Sequence, residues 1–152
     1  MRLIVLVIAL IVPLAALASC GTSGTKAAPP PLTNVPWQWT VLTITTPATQ
    51  TAVPNPADYT LAFKSGGQLQ LKADCNTGSG TYKTNGSAMT ITVGDMTKAP
   101  CPPGSLATMY LNGLAGVGAY EFVDGRLALE MKSGNAEMRF LDAQAVVPTT
   151  LP

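Results

Sequence analysis

The sequence contains no histidine, and only 11% of its residues are charged and 6% are aromatic. Histidine is the usual general base near neutral pH and the commonest metal-binding side chain. Its absence excludes a Ser-His-Asp or Cys-His catalytic arrangement. We therefore expect a chain that is not an enzyme and that has no catalytic residues, no cofactor and no metal site.

An excess of charge of either sign is also missing. The chain has nine Lys and Arg against eight Asp and Glu, a formal net charge of +1. Nucleic acids bind to basic surfaces, and anionic lipids attract clusters of basic residues. We therefore expect neither a nucleic-acid partner nor electrostatic docking on a membrane.

The chain opens with an uncharged apolar run over residues 3–17, which follows Arg2 and is interrupted only by Pro13. A positive residue followed by a short apolar run is typical of a secretory signal peptide. The alternative is a transmembrane helix, but the run is shorter than the roughly 20 residues that span a bilayer. We interpret residues 1–19 as a signal peptide.

The residues at the end of this run indicate how the exported chain is retained. Leu17-Ala18-Ser19-Cys20 resembles the bacterial lipobox, in which a diacylglyceryl group is added to the cysteine and the preceding peptide bond is cut. Each buried methylene of an acyl chain contributes roughly 0.8 kcal/mol, so two or three chains anchor firmly. We predict a lipid on Cys20 that attaches the protein to a membrane. Gly21 resembles the pattern of outer-membrane or cell-surface sorting.

Three cysteines form an odd set for an exported protein. If Cys20 carries lipid, Cys75 and Cys101 remain as a pair, and an oxidising compartment favours a disulfide between them. That disulfide would close a loop of about 26 residues and contribute about 3.5 kcal/mol. The alternatives are two free thiols or a nucleophilic Cys75, although the neighbouring Asp74 would raise the pKa of that thiol and lower its reactivity.

Composition divides the rest of the chain into three parts. Residues 20–36 are rich in Gly, Ala and Pro and predict a flexible tether between the lipid and the domain. Residues 37–142 are expected to fold, and residues 143–152 to form a loose tail. Within the folded part, residues 44–57 are mostly Thr, Pro and Ala, and we expect a long loop there.

Alternation of apolar and polar residues, broken by Gly-containing turns, predicts a series of β-hairpins. One segment, from Leu106 to Val117, has apolar residues at helical spacing. A sheet that curls on itself lets each strand bury one apolar face and leaves few exposed edges. The sequence therefore predicts a mainly β fold: a compact, antiparallel, barrel-like sheet of about seven strands with one short α-helix.

The order of several short motifs is familiar. These are Asp74-Cys75-Asn76, Gly80-Thr81-Tyr82 and Thr97-Lys98-Ala99-Pro100-Cys101-Pro102. Together they resemble the META domain family, which includes HslJ-like heat-shock lipoproteins, over about residues 37–141. The resemblance implies a compact β-barrel-like fold with one helix, a location in the cell envelope, and links to heat shock, envelope stress, drug resistance, secretion or motility. It implies no settled molecular activity.

The family's recurring positions have no assigned role, and two readings stay open for some of them. They are Cys75, Asn76, Gly80, Tyr82, Thr97 and Cys101. Asn76 is expected to bond nearby backbone in a turn, or to offer a polar contact at the mouth of a barrel. Tyr82, like Tyr110, is expected at the edge of the core or as a platform for a ligand.

Three functional hypotheses follow. The first is a non-catalytic, lipid-anchored domain of the cell envelope that binds an envelope protein or supports envelope integrity. The second is a carrier, because a small β-barrel can hold one apolar ligand. The third is an inhibitor of a lysozyme or protease that acts through an exposed loop, either residues 44–57 or residues 98–104.

Overall fold

A computed structural model describes residues 31–145 of the chain. These residues form nine strands and one α-helix, which confirms the mainly β class with a single helix. The strands are β1 (Pro36–Thr45), β2 (Ala48–Ala52), β3 (Tyr59–Phe63), β4 (Gln68–Ala73), β5 (Asn76–Asn85), β6 (Ala88–Met96), β7 (Val117–Val123), β8 (Arg126–Met131) and β9 (Ala136–Asp142), and the helix α1 is Ala107–Gly116. None of the helices formed by residues 31–145 is long and apolar enough to cross a membrane.

The strands form one antiparallel sheet that returns on itself. Its order is β2-β1-β3-β4-β5-β6-β7-β8-β9, and β9 also pairs with β1. The sheet is therefore ring-like. Its weakest junction lies between β6 and β7, where Ala88 and Ala119 form the single ladder pair, and α1 packs beside β6.

Aromatic side chains fill the centre of this ring. The Tyr110 ring, on α1, lies 5.3 Å from Trp39 and 5.7 Å from Tyr59 between ring centroids, and 6.4 Å from Phe140. The other large side chains that are almost completely buried are Trp37, Phe63, Leu61, Leu69, Met89, Leu114, Leu127, Leu129 and Met138. Because strand side chains alternate between two faces, the alternation read from the sequence places these residues inside.

Residues 44–57 were expected to form one long loop, and that prediction was wrong because half of them lie in strands. β1 continues to Thr45, and β2 pairs with it from Ala48 to Ala52. The prolines that suggested irregular structure lie outside the strands: Pro47 occupies the turn, and the others follow β2. The five residues of β2 contain no proline and two β-branched threonines, which favour a strand. This additional strand is one reason that nine strands form where about seven were expected.

The folded domain also begins earlier than its first strand. Val35 is buried in the core, and the backbone N–H of Asn34 donates to the carbonyl of Phe63 at 2.8 Å. The indole Nε1 of Trp37 donates to the carbonyl of Leu32 at 3.0 Å. Residues 32–36, which composition alone assigned to the tether, therefore pack on the domain.

Candidate functional site

Cys75 and Cys101 form a disulfide whose Cα atoms lie 5.4 Å apart. Cys75 occupies the turn between β4 and β5, and Cys101 lies in the loop between β6 and α1. The covalent bond therefore ties that loop, residues 97–106, to one end of the sheet. We call residues 97–106 the helix-approach loop.

Asn76 binds the same loop through its side-chain amide. Its Oδ1 accepts a hydrogen bond from the backbone N–H of Ala99 at 2.8 Å, and its Nδ2 donates to the carbonyl of Ala99 at 3.0 Å. The amide thus pairs with Ala99 in both directions, as a neighbouring strand's peptide group would. Nδ2 also lies 3.1 Å from the Cys75 sulfur and 3.3 Å from the Cys101 sulfur.

Thr97 completes this arrangement. Its Oγ1 donates to Oδ1 of Asn76 at 2.9 Å and accepts from the backbone N–H of Thr77 at 3.0 Å. The backbone N–H of Thr97 donates to the carbonyl of Thr77 at 2.9 Å. The pairing between β5 and the chain after β6 therefore continues past the end of β6 and leads into the helix-approach loop.

Gly80 meets the edge of β6 at a distance that excludes a side chain. A Cβ built on Gly80 would lie 2.4 Å from the carbonyl oxygen of Thr92, a backbone atom. The register between β5 and β6 also shifts between Gly78 and Gly80. A glycine is required because two backbones approach closely at this irregularity.

Tyr82 belongs to the edge of the core. Its hydroxyl donates to the carbonyl of Lys64 at 3.0 Å, and its ring meets Phe63 edge to face with centroids 4.8 Å apart. The side chain is half-buried. The hydroxyl and the ring of Tyr82 therefore both stabilise the turn that follows β3, in a position at the edge of the core.

Sequence reasoning missed a third tie to the helix-approach loop. The hydroxyl of Tyr59 accepts a hydrogen bond from the backbone N–H of Leu106 at 2.9 Å and lies 3.4 Å from Oδ2 of Asp74. Tyr59 is a buried residue of β3. Its bond to a residue 47 positions away has no local sequence signal.

We call the disulfide, Asn76, Thr97 and Tyr59 the loop clamp. Five of the six family positions take part in the clamp or in the adjoining strand pairing, and Tyr82 stabilises a separate turn. Each makes contacts that fix the backbone. Asn76 was expected to bond nearby backbone in a turn, but its amide bonds backbone groups that lie 23 positions away in sequence.

A cluster of acidic residues on the outer surface was not expected. Glu121, Glu130 and Glu137, from β7, β8 and β9, have carboxylate oxygens within 4.8 Å of one another. Glu130 and Glu137 are direct cross-strand partners. Arg139 pairs with Glu137, and that hydrogen bond and charge raise the pKa of the Arg139 guanidinium.

Two depressions lie on the outside of the sheet. One, of about 360 Å³, is lined by Thr43, Thr45, Glu130, Gly134, Ala136, Glu137 and Arg139. Another, of about 420 Å³, lies over β3, β4 and β5. Because large side chains fill the inside of the ring, the packing gives no support to a carrier that encloses an apolar ligand. Cys20 and the signal-peptide residues lie outside the described residues.

The fold and the clamp define a class of protein: a small, ring-like β domain with one helix, in which a disulfide-anchored loop approaches that helix. The META domain model matches residues 30–145. The chain belongs to the META domain family, as its motifs indicated.

Comparison with solved structures places the fold among bacterial proteins. The chain is similar to a protein from Burkholderia xenovorans solved by NMR, with 19% identity, a TM-score of 0.58, and coverage of 77% of this chain and 92% of that one. It is also similar to a DUF4847 family protein from Bacteroides vulgatus, with 15% identity, a TM-score of 0.55, and coverage of 72% and 92%. These likenesses concern the fold alone. Among curated proteins, no match is found.

Proposed function

We propose that this chain is a non-catalytic domain of the cell envelope, held on a membrane by lipid on Cys20, which presents the helix-approach loop to a protein partner. The observation that carries the proposal is the loop clamp. It fixes an exposed segment at several points, although that segment contributes little to the core.

The loop has the properties of a preformed binding element. Residues 98–100 and 102–104 are exposed, and three of these six residues are proline. Proline and a disulfide both restrict the backbone before binding, so less conformational entropy is lost when a partner binds.

The helix-approach loop and the chain that comes from Cys20 meet the domain at opposite ends of β3, which agrees with a membrane anchor at one end and a binding loop at the other. The chain that leads from Cys20 reaches the sheet beside Phe63, where Asn34 bonds its carbonyl. The clamp engages Tyr59, at the opposite end of β3. Four residue steps of about 3.4 Å separate these ends by about 14 Å. A tether from the membrane would thus arrive at one end, with the loop at the other.

Fractionation of cells that express the full chain tests the anchor. We expect the wild-type protein in the membrane fraction and Cys20→Ala displaced from it, because the thiol that accepts the acyl group is gone. Ser19→Ala, which keeps a small residue before the cysteine, is the control. Membrane association of Cys20→Ala equal to wild type would contradict the anchor.

Site-specific photo-crosslinking in the full chain tests the binding role. A photoreactive residue at Pro103, in the exposed loop, should give a discrete crosslinked product in intact envelopes. The same residue at Thr90, exposed on β6, is the control for random collisions. Products at position 103 that do not exceed those at position 90 would argue against the loop as a binding element.

A narrower form of this proposal is inhibition of a lysozyme or protease by insertion of the same loop into a cleft. The fixed ends of residues 98–104 favour this loop over the 44–57 segment, in which half of the residues lie in β1 and β2. An assay with the purified chain should show inhibition that Pro103→Asp, a charge in the exposed loop, weakens. Full hydrolase activity at saturating wild-type protein would eliminate the inhibitor while leaving the binding role open.

A further inference from the structure

The strand β2 ends the sheet and pairs with β1 alone among the strands of residues 31–145. An end strand exposes backbone N–H and C=O groups that can pair with another chain. Proteins usually protect such edges with lysine, proline or a bulge. β2 contains none of these, and residues 40–57 carry no charged side chain.

The hydrogen bonds of β1 establish which peptide groups of β2 face outward. The N–H of Val53 donates to the carbonyl of Thr40 at 2.9 Å. Hydrogen-bonded pairs alternate along an antiparallel ladder, so Thr51 and Thr49 also direct their peptide groups to β1. The peptide groups of Ala48, Gln50 and Ala52 therefore point away from β1.

The sequence of this strand reads the same in both directions: Ala48-Thr49-Gln50-Thr51-Ala52. An antiparallel copy centred on Gln50 would oppose Gln50 to Gln50 and Ala48 to Ala52. All three outward residues would then form hydrogen-bonded pairs, with two bonds in each and about six in total. Thr49 would lie opposite Thr51 of the other copy, a favourable cross-strand pair.

We propose that β2 is a homodimerisation edge, at which two copies of this chain pair antiparallel about a two-fold axis through Gln50. Self-complementarity is what a two-fold interface requires, and the edge has no charge that would oppose a copy of itself. The contact spans only five residues, four of which are alanine or threonine, so we expect a reversible dimer. This inference does not depend on the lipid anchor or on the helix-approach loop.

Cysteine crosslinking in the full chain tests the pairing and its register. Hydrogen-bonded partners in antiparallel strands have Cα atoms roughly 5.5 Å apart, which is within disulfide reach. Gln50→Cys should therefore give a product of twice the chain's mass on a non-reducing gel. Gln70→Cys, an exposed glutamine on β4 with paired strands on both sides, is the control. Equal crosslinking of the two variants, or crosslinking of Gln50→Cys to a different protein, overturns the homodimer.

Charge reversal provides a second readout that does not use cysteine. Gln50 is exposed, so substitutions there should leave the fold intact. In sedimentation of the full chain in detergent, Gln50→Lys and Gln50→Glu should each be monomeric, because like charges would lie directly opposite. An equimolar mixture should recover the dimer. A monomeric wild type, or Gln50 variants that all sediment as wild type does, overturns the proposal.

Discussion

Asn76 and Thr97 lie 21 positions apart in the chain, yet Oγ1 of Thr97 donates a hydrogen bond to Oδ1 of Asn76 at 2.9 Å. That bond, with the two between Asn76 and Ala99, joins the start of β5 to the loop before α1. The family motif that contains Cys75 and Asn76 therefore holds a loop in place.

Replacement of Asn76 should loosen this loop. Asn76→Ala removes a donor and an acceptor and leaves the exposed peptide of Ala99 to water, which should lower the free energy of unfolding by about 0.5–1.5 kcal/mol. Asn76→Asp keeps the acceptor but faces the carbonyl of Ala99 with a carboxylate oxygen, so we expect it to restore less than half of the loss. Denaturant unfolding measures both.

The control for Asn76 is Asn112→Ala, at an exposed position of α1. Alanine is the better helix former by roughly 0.5 kcal/mol, so this variant should be unchanged or slightly more stable. If Asn76→Ala matched it, the clamp would have no energetic role.

Gly80 should not accept a side chain. In Gly80→Ala the added methyl meets the Thr92 carbonyl oxygen, and two strands must separate to admit it, which should cost about 1–3 kcal/mol. Gly116→Ala is a matched control because its Cβ meets only the sulfur of Met131, at 3.1 Å. Calorimetry should show a large fall in Tm for the first variant alone. A similar Tm for both would mean that the approach of β5 to β6 is not restrictive.

Tyr110 carries the one buried side-chain polar atom without a hydrogen-bond partner in residues 31–145. Burial raises the pKa of its hydroxyl well above the usual value, so the group stays neutral. A buried hydroxyl without a partner costs about 1–3 kcal/mol. Tyr110→Phe keeps the ring contacts with Trp39 and Phe140 and should be as stable as wild type or more stable by about 1 kcal/mol. A loss of more than about 1 kcal/mol on denaturant unfolding would indicate a partner for the hydroxyl.

Asp58 and Lys72 should contribute a small part of the stability that depends on pH. The hydrogen bond from Lys72, 2.8 Å from Oδ1, and its charge lower the pKa of Asp58. A carboxylate whose pKa is lower in the folded state stabilises the fold above its unfolded pKa of about 3.9, and this contribution is lost as the pH falls through the folded pKa. Both side chains are partly exposed, so we expect at most about 0.5 kcal/mol.

The measurement is the difference in unfolding free energy between wild type and Lys72→Met at pH 7 and at pH 2. The difference at pH 7 should shrink toward pH 2, because the carboxylate of Asp58 takes up a proton as the pH falls through its folded pKa. A difference that is constant with pH would show that the ion pair contributes nothing. Lys83→Met, at an exposed position of β5, controls for the removal of a positive charge.

The hairpins were predictable because their signals are local. The alternation from Tyr59 to Ala73 placed Leu61, Leu69 and Leu71 inside, and Asn85-Gly86 marked the turn between β5 and β6. β2 was missed because prolines near both of its ends concealed a five-residue strand whose residues have little hydrophobic character.

The contacts of the site were not predictable from local pattern. Asn76 meets Ala99 at the open end of the long hairpin of β5 and β6. Tyr59 meets Leu106 only once the sheet brings β3 close to the helix-approach loop. The same holds for Glu121, Glu130 and Glu137, which are separated in sequence and are neighbours only because β7, β8 and β9 are adjacent. The residue types were visible in the sequence, whereas their partners depend on the topology.

We propose that lipid on Cys20 anchors a domain whose clamped loop is free to bind, and the intact mass of the full chain extracted from native membranes tests the anchor. We expect a chain that begins at Cys20, without residues 1–19, and that carries the mass of two or three acyl chains. A chain that retains the signal residues, or that begins elsewhere with no acyl increment, would contradict it.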